Sequence, residues 1–155
     1  MIRKSSILFL IFNGLLLGGC GHDDDEKGSA APLSPPIGNI SGTWYVTDTI
    51  DARNCGEGQY SESGSVYVAQ SGNSVTVTIN GSKFTGTLSG NSLSWSGNYP
   101  EDGGTTSLSL SATVGANCDT LSGGSTWSWS GPGGPCSGTT RTTAYRTYPN
   151  TGCGS

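Results

Sequence analysis

The side chains that can do chemistry are few in this chain and poorly placed for it. His22 is the only histidine among 155 residues. It sits beside Asp23, Asp24 and Asp25 in a stretch without apolar periodicity. Such a stretch reads as a solvated spacer, and a metal site needs preorganised ligands. With no histidine beyond it, no Ser/His or Cys/His nucleophile set can be assembled. Cysteines stand at 20, 55, 118, 136 and 153, dispersed and without a CxxC pair, so a His/Cys zinc site is not expected. Lys83 follows Asn80-Gly81-Ser82, which is not a phosphate-binding loop. Glu101 and Asp102 are adjacent in Tyr99-Pro100-Glu101-Asp102-Gly103-Gly104. An acid/base pair needs a cleft and two different environments, so this is read as a turn; two carboxylates also fall short of a calcium site. Trp127 and Trp129 share a face and are read as core; on an open face they would form a stacking platform. Neither an enzyme nor a bound cofactor or metal is expected.

Composition narrows the fold. Hydrophobic residues make up 32% and charged residues 12%, against about 45–50% and 25% in ordinary globular domains. Glycine accounts for 26 residues. Helix formers are too scarce for a bundle. Aromatic and β-branched residues are too frequent for a charged, disordered chain. Seven basic residues against 11 acidic ones disfavour nucleic acid as a partner. A small all-β domain rich in turns remains.

The chain opens with Arg3 and Lys4, then an apolar run from Ser5 to Gly19 interrupted by Ser5, Ser6 and Asn13. At 15 residues the run is too short for a membrane span, which needs about 20, and it has the form of a secretory signal peptide. It ends in Leu17-Gly18-Gly19-Cys20. Here the sequence resembles a bacterial lipoprotein, with these four residues in the place of the lipobox. The resemblance implies cleavage after Gly19, diacylglycerol on the Cys20 thiol, and a further acyl chain such as palmitate on its amine. Two or more chains give stable anchoring where one does not. Gly21, rather than Asp, after the cysteine implies the outer membrane. Cleavage leaves five basic residues against 11 acidic ones. The run Asp23-Asp24-Asp25-Glu26 is read as a spacer kept extended by repulsion; it also looks like the surface-export signals of some lipoproteins.

Three segments follow: a signal peptide over 1–19, a lipidated cysteine with an acidic, Pro-containing tether over 20–40, and a folded domain over 41–155. From Ser41 onward, apolar and small polar residues alternate, the period of strands with one buried face. The inward sets are Trp44, Val46 and Ile50; Val66 and Val68; Val75, Val77 and Ile79; Phe84 and Leu88; Leu93 and Trp95; Leu108, Leu110, Ala112 and Val114; and Leu121, Trp127 and Trp129. An eighth strand spans about 137–148, with Thr139, Arg141, Thr143 and Tyr145 sharing a face. Opposite faces are mostly Ser and Thr, as on a wetted surface. Short joints, of which Asn80-Gly81 is the strongest hairpin signal, make each strand pair with the next. The expectation is an antiparallel up-and-down meander of about eight strands that closes into a small barrel, with a β-sandwich as the alternative.

Gly42-Thr43-Trp44 resembles the opening of a calycin barrel, the superfamily of the lipocalins. The resemblance implies that Trp44 plugs one end and that an Arg of the last strand packs across its ring. Arg146 stands at the matching place, with Arg141 as the alternative. The other loop motifs of that superfamily are absent here.

Strand parity then orders the cysteines. Removing Cys20 by lipidation leaves four, in an oxidising compartment. Odd-numbered joints lie at one end of a meander and even-numbered ones at the other. Cys55 and Cys136 fall at one end, and Cys118 and Cys153 at the other. Closure sets the first strand beside the eighth, so the expected bridges are Cys55–Cys136 and Cys118–Cys153. The functional expectation is a non-catalytic envelope lipoprotein that contacts the membrane through Cys20 and binds a small apolar ligand or another envelope protein. The alternative is a filled barrel that acts through its outer face or loops. Cys20→Ser should convert a membrane-fractionating protein into a soluble periplasmic one, read by ultracentrifugation of lysed cells; retention with the outer membrane would move the anchor elsewhere.

Overall fold

The computed structural model describes residues 33–148 and Cys153. Alternation with period two yields eight strands: β1 Gly42–Asp51, β2 Gln59–Ser71, β3 Ser74–Ile79, β4 Ser82–Ser89, β5 Ser92–Glu101, β6 Gly104–Val114, β7 Thr120–Ser130 and β8 Cys136–Arg146. Each pairs antiparallel with the next, and β1 pairs with β8, so the sheet is a closed barrel rather than a sandwich. The joints explain the order. Asn80 and Gly81 have φ of 49° and 83°, and Asp102 and Gly103 have 48° and 74°. Two successive positive φ values make the two-residue turn whose twist matches that of the flanking strands. The Glu101-Asp102 pair is thereby split: Asp102 sits in the turn, and Glu101 is the last residue of β5.

Register sets the interior. Gly42, Trp44, Val46, Asp48 and Ile50 of β1 face Val68, Val66, Gly64, Glu62 and Tyr60 of β2. On the other side Trp44, Val46, Asp48 and Ile50 face Arg146, Ala144, Thr142 and Thr140 of β8. The inward face of β8 therefore carries Thr140, Thr142, Ala144 and Arg146. The face with Thr139, Arg141, Thr143 and Tyr145 is the outer one, and Tyr145 is exposed. The weak pattern of β8 reflects inward residues that are small or polar: Ala144 lies between Val46 and Leu121 and Gly138 faces Trp127, while Thr142 lies between Asp48 and Gly123.

The lumen is filled by rings lying on glycines. A Cβ on Gly97 would meet the Phe84 ring, one on Gly138 the Trp127 ring, and one on Gly86 the Trp95 Cβ. Phe84 also packs on Trp95, with ring centroids 4.8 Å apart. The core cluster of Trp44, Val68, Val75, Phe84, Leu88, Leu93, Leu110 and Val114 occupies the half of the barrel where β1 begins. Gly64 is the exception. It takes an inward position in β2, yet nothing lies within 4 Å of where its Cβ would be.

The last residues of the expected tether belong to the folded unit. The Ile37 amide donates to the Gly90 carbonyl at 2.8 Å, and the Gly90 amide donates to Pro35 at 3.1 Å. Ile40 is buried against the core. The ordered domain thus begins before residue 41, because Ile37 and Ile40 cover apolar surface that the strand ends leave open. Gly138→Ala should destabilise by about 1–3 kcal/mol through overpacking. Gly64→Ala should be neutral or stabilising by about 0.5–1 kcal/mol, since the strand gains a side chain in free space. Urea unfolding of the two variants checks both values, and equal losses would refute the open space at Gly64.

Candidate functional site

The two ends of the barrel differ in chemistry. At the end where β1 starts, Trp44 is 2% exposed and its Nε1 donates to the Ile40 carbonyl at 2.9 Å. The Arg146 guanidinium carbon lies 5.3 Å from the Trp44 ring centroid, within cation–π range. Arg146 is itself buried, at 6% exposure. Its Nη2 donates to the Asn39 carbonyl at 2.8 Å, and its Nε stands 3.8 Å from an Asp119 oxygen. Burial pulls the Arg146 pKa down and Asp119 opposes that shift. Arg146, and not Arg141, is the residue over Trp44. Gln70 completes this end: its Oε1 accepts from the Ile40 amide at 2.8 Å, and its Nε2 donates to Gly38 at 3.1 Å and Gly72 at 2.9 Å. Gln70 was not singled out from the sequence; its signal is a long polar residue at an inward position of β2.

The cysteines seal the joints. Cys118 is bridged to Cys153, with Cα atoms 5.8 Å apart. This bridge lies against Gly38, where no Cβ would fit. At the opposite end Cys55, in the short 3-10 turn Arg53–Cys55, is bridged to Cys136, with Cα atoms 5.3 Å apart. Both separations suit unforced disulfides. Cys20 and His22 lie outside the described residues.

The second end is polar. The inward parity that carries Trp44 and Val46 continues into Asp48, which faces Glu62 on β2 and Thr142 on β8. The Thr142 hydroxyl donates to Asp48 Oδ1 at 2.6 Å. Across the lumen, the Thr106 hydroxyl donates to Glu101 Oε2 at 2.6 Å, and Trp129 Nε1 donates to the Glu101 carbonyl at 3.1 Å. Burial raises the Asp48 pKa, with Thr142 acting against it. Burial also raises that of Glu62, reinforced by repulsion from Glu101 and Asp48. Tyr99 is pushed up to about 12, chiefly by burial and then by Glu101. Of the basic groups among the described residues, Arg53 pairs with Asp51, Lys83 and Arg141 take outward positions, and Arg146 is at the plug. Three inward-facing carboxylates, Asp48, Glu62 and Glu101, thus share this end without a described cation among them. Asp48 and Glu62 face each other in the β1–β2 register, and nothing local in the sequence marks their approach to Glu101.

The wall beside them is incomplete. β2 pairs with β3 only from Tyr67 to Ser71, so 59–66 has β1 on one side and, among the described residues, no strand on the other. β5 pairs with β4 only from Ser92 to Ser96. The short β3–β4 hairpin leaves a notch between β2 and β5. The end of β5 stands near this overhang, since Glu101 acts on Tyr60 and Glu62. Gly64 opens onto this notch, flanked by Glu62 and Val66.

The outer wall is hydroxyl-rich. Two shallow depressions, of about 440 and 430 Å³, lie over β5–β8 and are lined by residues such as Ser96, Ser109, Ser111, Thr126 and Ser128. Tyr45 and Tyr145 stand side by side outside, with ring centroids 5.4 Å apart. Trp127 points inward but is only half-buried, and among the described residues its Nε1 has no hydrogen-bond partner.

Fold and site together define a small closed antiparallel barrel, plugged at one end and notched and acidic at the other. The sequence matches no protein-family model and no curated protein.

Asp48 makes the acidic end measurable. Its pKa is raised in the fold, so the folded state holds its proton more tightly than the unfolded chain. That contribution to stability is complete below the ordinary carboxylate value of 3.8 and is lost as pH rises through the folded value. Asp51, held down by Arg53, acts in the opposite sense, and comparison with a variant cancels it. Asp48→Asn keeps an acceptor for Thr142 and removes the titration. The decline in melting temperature from pH 4 toward neutrality should be shallower in the variant than in the wild type. Identical slopes would show Asp48 to be solvated.

Proposed function

We propose that this chain is a non-catalytic envelope lipoprotein, held at the outer membrane by acylated Cys20, whose barrel binds its partner at the notched end. The observation that carries this reading is the contrast between glycines. Rings occupy the space over Gly97 and Gly138, and the Ser94 carbonyl and Trp95 Cβ that over Gly86, whereas among the described residues Gly64 faces open space beside Glu62. A ligand-binding barrel needs unfilled volume that solvent can reach, and a few convergent polar groups. Both features coincide at Gly64. The free space is bordered by Val46 and Val66 on the one hand and by Asp48 and Glu62 on the other, so it suits a partner with polar or positively charged groups better than a purely apolar one. The tether enters at the plugged end, which supports an arrangement with the notch away from the anchor.

A second reading rests on a separate observation. The hydroxyl-covered outer wall, with its two depressions and the Tyr45–Tyr145 pair, fits a filled barrel that acts through its surface. A photo-crosslinking amino acid at position 64, or at the outward position 111, separates the two in living cells. The proposal expects a defined adduct from position 64 and none from 111. An adduct only from 111 would transfer the function to the outer wall, and none from either would remove both readings.

A further inference from the structure

The open end offers backbone as well as side chains. Residues 59–66 of β2 are extended and hydrogen-bonded to β1, and among the described residues no strand covers their other edge. All of them except Glu62 and Val66 are exposed. Unpaired N–H and C=O groups along such an edge are a template for an added strand. An added strand would also set its alternate side chains on the lumen side, level with the inward residues of β2. One of those residues is Gly64, with free space where a side chain would be.

Charge selects what fills that space. Glu62 lies next to Gly64 on the same face, Asp48 is its partner across β1, and Glu101 acts on Glu62 from the far side. Resting on the open-end reading above, we infer that the notch takes an extended peptide segment of another protein by strand addition to 59–66, with one Lys or Arg of that segment entering the lumen beside Gly64. A long cationic side chain spans the gap with its aliphatic stem against Val66 and its head among the carboxylates, where it relieves their mutual repulsion.

Other occupants fit less well. In a second copy of this chain paired edge to edge, two Glu62-bearing strands would face one another, and like charges oppose such a pair. The chain's own tether carries Asp23-Asp24-Asp25-Glu26 and enters at the plugged end. Free amines would gain the carboxylates but none of the edge.

Calorimetry on the full lipidated protein in detergent tests this with a blocked seven-residue peptide of alternating Thr and Val around a central Lys. Saturable binding is expected, weakened by salt as an exposed ionic contact requires. Replacing the Lys by norleucine should weaken it at least tenfold. Gly64→Val, which fills the free space with a good strand former, should do the same without lowering the melting temperature. N-methylation of alternate peptide amides should abolish it, because the β2 carbonyls then have no N–H to accept from and the methyl groups block the approach. The inference is overturned if the Lys peptide does not bind, if the N-methylated peptide binds equally well, or if butylamine binds as tightly as the peptide. An adduct at position 64 in cells together with a silent Lys peptide would sink strand addition alone; absence of that adduct would sink the open-end reading itself.

Discussion

The volume of an eight-stranded barrel is the constraint on which the rest of this molecule depends. At eight strands the interior is about wide enough for side chains to meet in the middle, so each inward residue competes with those across from it. The chain meets this limit by setting rings over glycines. Phe84 lies over Gly97, Trp95 against Gly86, and Trp127 over Gly138. A chain with only 32% hydrophobic residues can fill a core this way, because a few large rings cover much area where methyl groups are scarce. The same economy explains the outer face. With the interior satisfied, the outward positions need only favour strands and water, and Ser and Thr do both.

Closure gives every strand a neighbour, but not along its whole length. β2 has 13 residues and β3 has six. Among the described residues the excess of β2 has no partner on the side of β3, and the inward parity of its overhang runs into Glu62 and Gly64. Inward-pointing charge on an uncovered edge also protects that edge from indiscriminate pairing with other strands. Protection and recognition are therefore the same chemistry here: carboxylates that repel an acidic strand attract a basic one. Asp48 and Glu62 are partly desolvated, so a cation arriving there meets carboxylates less screened by water than surface ones.

The opposite end shows how a buried charge is made tolerable. Arg146 is almost wholly desolvated, and alone it would be costly. The Trp44 ring, the Asn39 carbonyl and Asp119 share its charge, while Gln70 and the Cys118–Cys153 bridge hold residues 38–40 in place to receive it. The bridge and the cation–π contact fasten the segments at either end of the folded chain to one barrel rim. The plug is consequently a long-range device built from β1, β2, β8, a loop and the incoming tether, and it leaves the other end as the accessible one.

Several features were legible in the sequence by itself. Period-two alternation marked the strands, Asn80-Gly81 marked a hairpin, and short joints dictated a meander, because each is a local property of a few neighbouring residues. The bridges followed from parity, since antiparallel strands alternate the end at which each joint falls. The choice of Arg146 over Arg141 became physical only with the register: Arg146 shares the inward parity of Ala144, and Arg141 does not. The uneven lengths of β2 and β3 were hidden, because the Ser-Glu-Ser-Gly-Ser run of the overhang carries no apolar alternation from which a strand could be read. Likewise Ile37 and Ile40 looked like tether until the strand ends offered them a surface. The meeting of Asp48, Glu62 and Glu101, and the empty space beside Gly64, were decided by tertiary structure alone. Asp48 and Glu62 meet through the β1–β2 register, and Glu101 of β5 comes to them only through the curl of the whole sheet, which no local run of residues encodes.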